Sequence, residues 1–225
     1  MNWVGDVRVA LSAVADSTRA APMSAYMKEV APFLGVSAPA RRAAVRGLGR
    51  PPIDELPQVA RMLWVLPERE YAYVACDWLE RATRKGPASL LPLIEELVRS
   101  RSWWDTVDSL SASVANLVAT HPELVAEMDR WINDANFWVA RVAILHQLGR
   151  GTATDAERLF RLCLVRAHEK EFFIRKAIGW ALRDYAWRAP DAVDQFVTEH
   201  RDELSALTIR EATKNLTKAR ARRKA

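Results

Sequence analysis

The sequence is poor in the residues that bend or cross-link a chain, with 8 glycines, 11 prolines and 2 cysteines in 225 residues. Two cysteines, Cys76 and Cys163, exclude a disulfide scaffold and a multi-cysteine zinc site. No apolar run approaches the roughly 18 residues needed to span a membrane. The amino terminus, MNWVGDVRVALSAVADSTR, mixes acids with apolar residues and lacks a basic leading region. It is read as no signal peptide, which predicts a cytoplasmic protein. There is no alternating strand pattern and no Asn-Gly or Asp-Gly hairpin signal. A P-loop, G-x-G-x-x-G and G-x-S-x-G are also missing, so nucleotide-triphosphate chemistry and serine hydrolysis find no support. His121, His146, His168 and His200 show no metal-ligand spacing, and H-E-x-x-H does not occur. No metal and no cofactor are expected.

Half of the chain is hydrophobic, which argues against disorder and is ample for a core. The formal charge of +5 is unevenly placed. Lys214, Lys218, Arg220, Arg222, Arg223 and Lys224 put six cations and no acid in the last twelve residues, which leaves residues 1–213 at −1. Such a tail suits a polyanion, or else is a solvated helix end whose cations favour the C-terminal dipole. Nine tryptophans against four tyrosines and six phenylalanines is the other imbalance. Indoles are large, flat and electron-rich, so the surplus makes them candidates for a binding surface.

Helical periodicity runs through almost the whole sequence. Helices are predicted over residues 2–17, from Pro22 through Met27, and over 38–48 and 56–66. The next lies between Pro67 and Gly86, followed by helices at 88–100, 103–119, 122–133, 137–148, 154–168, 172–187, 190–199 and 205–221. Connections of about 2–6 residues make neighbours antiparallel. Helix pairs recur loosely every 35–40 residues. The predicted fold is all-α, a curved α-solenoid of degenerate HEAT-like repeats with a concave face suited to a long ligand. Residues 1–216 are read as one domain and 217–225 as a basic tail.

Two segments carry candidate chemistry. In SWWDTVD, residues 102–108, Ser102 and Asp105 have capping-box spacing, which predicts Ser102 as N-cap and Asp105 at N3. Trp104 and Asp108 are four apart and share a helix face. A carboxylate beside an indole can stabilise a cation; alternatively, Asp108 bonds a neighbouring loop or an arginine. In FFIRKAIGWALRDYAW, residues 172–187, Lys176, Trp180 and Arg183 share a face. This suits a nucleic-acid groove, or else ordinary helix packing with Gly179 against a neighbouring helix. Arg141, inside an apolar helix, either pairs with an acid or holds a phosphate.

Taken together, PMSAYMK (22–28), FLGVSAPARR (33–42), LWVLPEREY (63–71), SWWDTVDS (102–109), FWVARVAILHQL (137–148), KEFFIRKAIGWALRDYA (170–186) and IREATKNL (209–216) resemble the HEAT-like-repeat DNA alkylation-repair glycosylases, the AlkD-like bacterial enzymes. The resemblance implies removal of positively charged N3- and N7-alkylated purines from double-stranded DNA, without flipping the base. It implies Asp108 as the catalytic aspartate and Trp104 and Trp180 as active-site tryptophans packing on the lesion's deoxyribose. Arg141 and Arg183 fall on DNA-backbone arginines, and Tyr26 on the tyrosine that touches DNA near the lesion. Ser37 stands where relatives can carry a glutamine, and Gly149 where they have a basic contact, with only Arg150 nearby. Both departures shorten the grip on DNA and leave the chemistry intact. No membrane partner is expected, and the protein is read as a monomer. The competing reading is a non-catalytic HEAT-like scaffold that binds DNA or protein.

Overall fold

The computed structural model describes residues 1–224. Among these the secondary structure is helical, with no strand. The chain separates into two compact units, Met1–Leu117 and Val118–Ala225. The first contains α1 (Trp3–Ser12), α2 (Ser17–Tyr26), α3 (Ala38–Val45), α4 (Leu56–Trp64), α5 (Arg69–Thr83), α6 (Leu91–Arg99) and most of α7 (Trp104–Thr120). The second contains α8 (Val125–Trp131), α9 (Phe137–Leu145), α10 (Ala156–Val165), α11 (Phe172–Ala186), α12 (Pro190–Glu199), α13 (Ala206–Thr213) and α14 (Leu216–Lys224).

The apolar stripes explain each unit's core. In the first, Leu63, Leu79, Ile94 and Leu110 are fully buried; in the second, Val142, Ile178, Leu182 and Val193 are. Burying a side chain of this size contributes about 1.5–3 kcal/mol. The loose recurrence in the sequence has a physical counterpart. Arg41 bonds Asp77, Arg69 bonds Asp105 and Asn116 bonds the Glu80 carbonyl, each across 36 residues; Arg61 bonds Glu96 and Gly149 bonds Asp184 across 35. Side chains at equivalent places in successive helical hairpins therefore stitch one hairpin to the next.

Three boundaries differ from the sequence reading. The predicted helix over 2–17 stops at Ser12, because Asp16 caps a new helix by accepting from the Thr18 N–H at 3.0 Å. Pro22 consequently lies inside α2 and does not open it. The predicted helix over 205–221 is divided by a turn at 214–215. The residues read as a tail continue as α14, with Leu216 and Ala219 buried and α14 packed against α12. Residue 225 lies outside the described residues. No described helix is long and apolar enough to cross a membrane.

Candidate active site

In the first unit the site is built on the start of α7. Trp104 and Asp108 lie one turn apart on this helix and are both half-buried. The approach to α7 is fixed from behind. Arg101 adopts left-handed backbone (φ 50°), and its guanidinium donates to the carbonyls of Trp64, Leu66 and Pro67 at the end of α4. Arg69 on α5 is 1% exposed. It donates to Asp105 at 2.9 and 2.7 Å, to Thr106 Oγ1 at 2.9 Å and to the Arg101 carbonyl at 2.8 Å. Tyr73, one turn along α5, donates its hydroxyl to Asp105 at 2.5 Å. Burial and the Asp105 carboxylate push the Tyr73 phenol above its ordinary pKa.

This arrangement corrects the predicted capping box. The helix starts at Trp104, not Trp103, and the Ser102 hydroxyl donates to the Val98 carbonyl at 2.6 Å. Asp105 instead satisfies a buried guanidinium, whose need for an anion outweighs that of an accessible helix end.

In front of this network is an aromatic cleft of about 510 Å³, lined by Met23, Tyr26, Phe33, Tyr73 and Trp104. Tyr26, 73% exposed, meets Trp104 edge-on with ring centroids 6.3 Å apart. Lys28 and Glu29 take left-handed backbone (φ 60° and 59°), and the Glu29 N–H closes the end of α2 on the Ser24 carbonyl at 2.9 Å. The structure thus brings the predicted Tyr26 and Trp104 together. Ser37 is committed elsewhere, as N-cap of α3 with its hydroxyl accepting from the Ala40 N–H at 3.4 Å. The loop before it is pinned by fully buried Glu70, which accepts from the Leu34 and Val36 N–H groups at 3.0 Å each. Gly35 in that loop has φ 81°, and a Cβ there would stand 1.9 Å from the Asp16 carbonyl oxygen, so no other residue fits.

In the second unit α11 presents Trp180, 37% exposed. Lys176 and Arg183 flank it as predicted, but both are bonded to Glu211 on α13, Lys176 at 3.3 Å. The cluster therefore carries one net positive charge, not two. Burial raises the Glu211 carboxyl, but the bonds from Arg183 and Lys176 more than reverse this and hold it below its ordinary pKa. Gly179 allows the approach: a Cβ there would lie 2.6 Å from Glu211 Cβ and 2.9 Å from the Thr208 carbonyl oxygen. Of the two readings of Gly179, the packing one is observed. Arg141 is 3% exposed and donates to the Phe173 carbonyl, with its guanidinium 6.0 Å from the Phe173 ring centre. It ties α9 to the start of α11. Gly149 donates its N–H to Asp184 of α11 at 2.9 Å.

Arg69, Tyr73 and Glu211 were not singled out in the sequence. The first two had a signal: Arg69 and Asp105 repeat the 36-residue separation of Arg41 and Asp77. Among the described residues no group of three His, Cys, Asp or Glu side chains could hold a metal ion. Both cysteines are buried, and burial pushes the Cys76 thiol up to about 12.

Comparison with known proteins gives these features a context. Residues 7–216 match the family described as DNA alkylation repair enzyme. A solved structure from Enterococcus faecalis, described as a predicted DNA alkylation repair enzyme, is 32% identical with a TM-score of 0.84, covering 91% of this chain and 97% of that one. Two Streptococcus mutans structures share the fold at TM-score 0.59. The protein smu.31 is 16% identical, over 77% of this chain and 89% of its own. AlkD2 is 14% identical, over 77% of this chain and 86% of its own. No curated protein matches the chain.

Proposed function

The chain belongs to the DNA alkylation repair enzyme family, and from that premise we propose that it is a DNA glycosylase. Its substrates are positively charged N3- and N7-alkylated purines, such as 3-methyladenine and 7-methylguanine, in double-stranded DNA. It acts without flipping the base, as a cytoplasmic monomer. The observation that carries this reading is the pair Trp104 and Asp108, one turn apart on α7 beside exposed Tyr26.

An N-alkylated purine already bears a positive charge and leaves as a neutral base, so no general acid is needed. The barrier lies in the oxocarbenium character that develops on the sugar. A carboxylate stabilises that cation directly or by orienting the attacking water, which is the role of Asp108. At about 4 Å and an effective dielectric near 20, one such attraction is worth about 4 kcal/mol, roughly a thousand-fold in rate. Trp104 and Trp180 supply electron-rich faces to the sugar. Tyr26 extends the Trp104 surface along the DNA, and Arg183 and Lys176 meet phosphate. Arg141 acts on the same surface by positioning α11. A non-catalytic scaffold would account for the helices but gives no reason to keep a carboxylate one turn from an indole.

The test is single-turnover release of 7-methylguanine from duplex DNA by the Asp108→Asn variant, with uracil in duplex DNA as the neutral-base control. The variant is expected to fold normally and lose most of the excision, while uracil is released poorly by either protein. Unchanged excision by the variant, or efficient uracil release, overturns the reading.

A further inference from the structure

The cations assigned to DNA by sequence are engaged within the protein: Arg141 on the Phe173 carbonyl, and Lys176 and Arg183 on Glu211. A different set is not. Arg210, Lys214, Lys218 and Arg222 follow one another at intervals of four residues through α13 and α14, and all are exposed. Among the described residues none of them is in an ion pair. Arg220, on the same helix but turned away, is bonded to Asp191 and Asp194 of α12 at 2.8 and 2.7 Å. Lys214, between the two helices, keeps right-handed helical backbone (φ −50°, ψ −31°), so the period carries across the turn. The opposite side, with Thr208, Ala212, Leu216 and Ala219, is buried and fixes which way the cations face.

We infer that this stripe is a second, sequence-independent contact for the phosphate backbone of duplex DNA, separate from the contacts around the tryptophans. The inference rests on the DNA-repair reading above and adds where the non-specific grip comes from. Three steps of four residues spread the charges over about 18 Å, the length over which one DNA strand presents about five phosphates. The stripe also has a direction. Lys214, Lys218 and Arg222 follow Glu211 by three, seven and eleven residues, so they continue the helix face that lies against Lys176 and Arg183 beside Trp180. An anionic membrane surface fits less well, because an interfacial helix needs an exposed apolar face. Here Leu216 and Ala219 are already buried in the unit.

The measurement is the salt dependence of binding to undamaged duplex DNA, which is independent of lesion chemistry. In the full chain, Lys214→Gln, Lys218→Gln and Arg222→Gln together are expected to flatten the slope of log K against log salt by about 2.7, at about 0.9 for each lost phosphate contact. Lys214→Arg, Lys218→Arg and Arg222→Lys together are expected to restore it. A slope that the glutamine variant leaves unchanged overturns the inference. So does a glutamine variant that loses binding to phosphatidylserine vesicles while keeping its duplex slope. Failure of the Asp108→Asn test would remove the glycosylase reading without moving this slope, so the two can fail separately.

Discussion

Trp104 in the first unit stands in front of a sealed ion network, whereas Trp180 in the second stands among ions at the surface. Behind Trp104, Arg69 and Asp105 pair with side chains 1% and 8% exposed, and Tyr73 completes the anion's bonds. Beside Trp180, Lys176 is 40% exposed, and the carboxylate that balances it comes from the next hairpin. Buried charge is rigid and costly to disturb, so the first arrangement fixes geometry. Accessible charge can exchange partners, so the second can trade a carboxylate for a phosphate. The two indoles share a proposed substrate but are maintained by different physics, and substitutions in the two places are expected to differ in kind.

The largest effect is expected at Arg69. Arg69→Met leaves the Asp105 carboxylate buried with only the Tyr73 hydroxyl, and breaking a buried pair from one side costs about 3–5 kcal/mol. It also frees the Arg101 carbonyl and Thr106, so the start of α7 loses its anchor. Urea unfolding is expected to show the loss, and Arg69→Met with Asp105→Leu is expected to recover most of it. A loss under 1 kcal/mol would mean that the network does not set the geometry of the first unit's site.

The same contrast explains what could be read from sequence. Helices and most of their limits were legible because apolar periodicity and caps are local. The faces were legible too: Trp104 with Asp108, and Lys176 with Trp180 and Arg183, follow from helical spacing alone. What faces those faces was not. Glu211 lies 28 residues beyond Arg183, and nothing local marks it as the partner of two cations. Arg141 shows the same limit, since its neighbours in sequence could not distinguish a phosphate ligand from a clamp on Phe173. Ser37, read as a shortened DNA contact, has local work as a helix cap that its place before Ala38-Pro39 could have suggested. The family resemblance rested on motifs such as FLGVS and EREY, which the structure joins through Glu70 and the backbone of Leu34 and Val36.

A middle-sized effect is expected at Gly179, where two energies oppose each other. Alanine is favoured over glycine within a helix by about 1 kcal/mol. Against that, the new Cβ would meet Glu211 Cβ and the Thr208 backbone, and backbone cannot turn aside as a flexible side-chain tip can. Overpacking of this kind costs about 1–3 kcal/mol and pushes α13 away from α11. Gly179→Ala is therefore expected to lower stability, measured by urea unfolding, and to weaken DNA binding by moving Glu211 relative to Arg183. A variant more stable than the original protein would show that α13 packs loosely enough to yield, and the second unit's charge cluster would then be no more than a surface pairing.

The smallest effect in energy, and the sharpest in meaning, is expected at Glu211. Glu211→Gln keeps the side chain's shape and removes the charge that Lys176 and Arg183 share. If those cations trade Glu211 for phosphate, the variant binds undamaged duplex more tightly, and its salt slope steepens by up to about 1.8, two contacts at about 0.9 each. The pH dependence fixes the sign. The Glu211 carboxyl titrates below its ordinary value, so it is charged at neutral pH and its pairing energy is fully present above about pH 4.3, the unperturbed glutamate value. As pH falls below that value through the lowered folded-state pKa, the original protein gains the proton and loses the pairing. The difference in DNA affinity between the two proteins is thus expected at pH 7 and should shrink toward zero under acid conditions. If Glu211→Gln leaves the slope unchanged at pH 7, the carboxylate is only a packing element. The contrast between a sealed network in one unit and an exchangeable one in the other would then collapse into two fixed scaffolds.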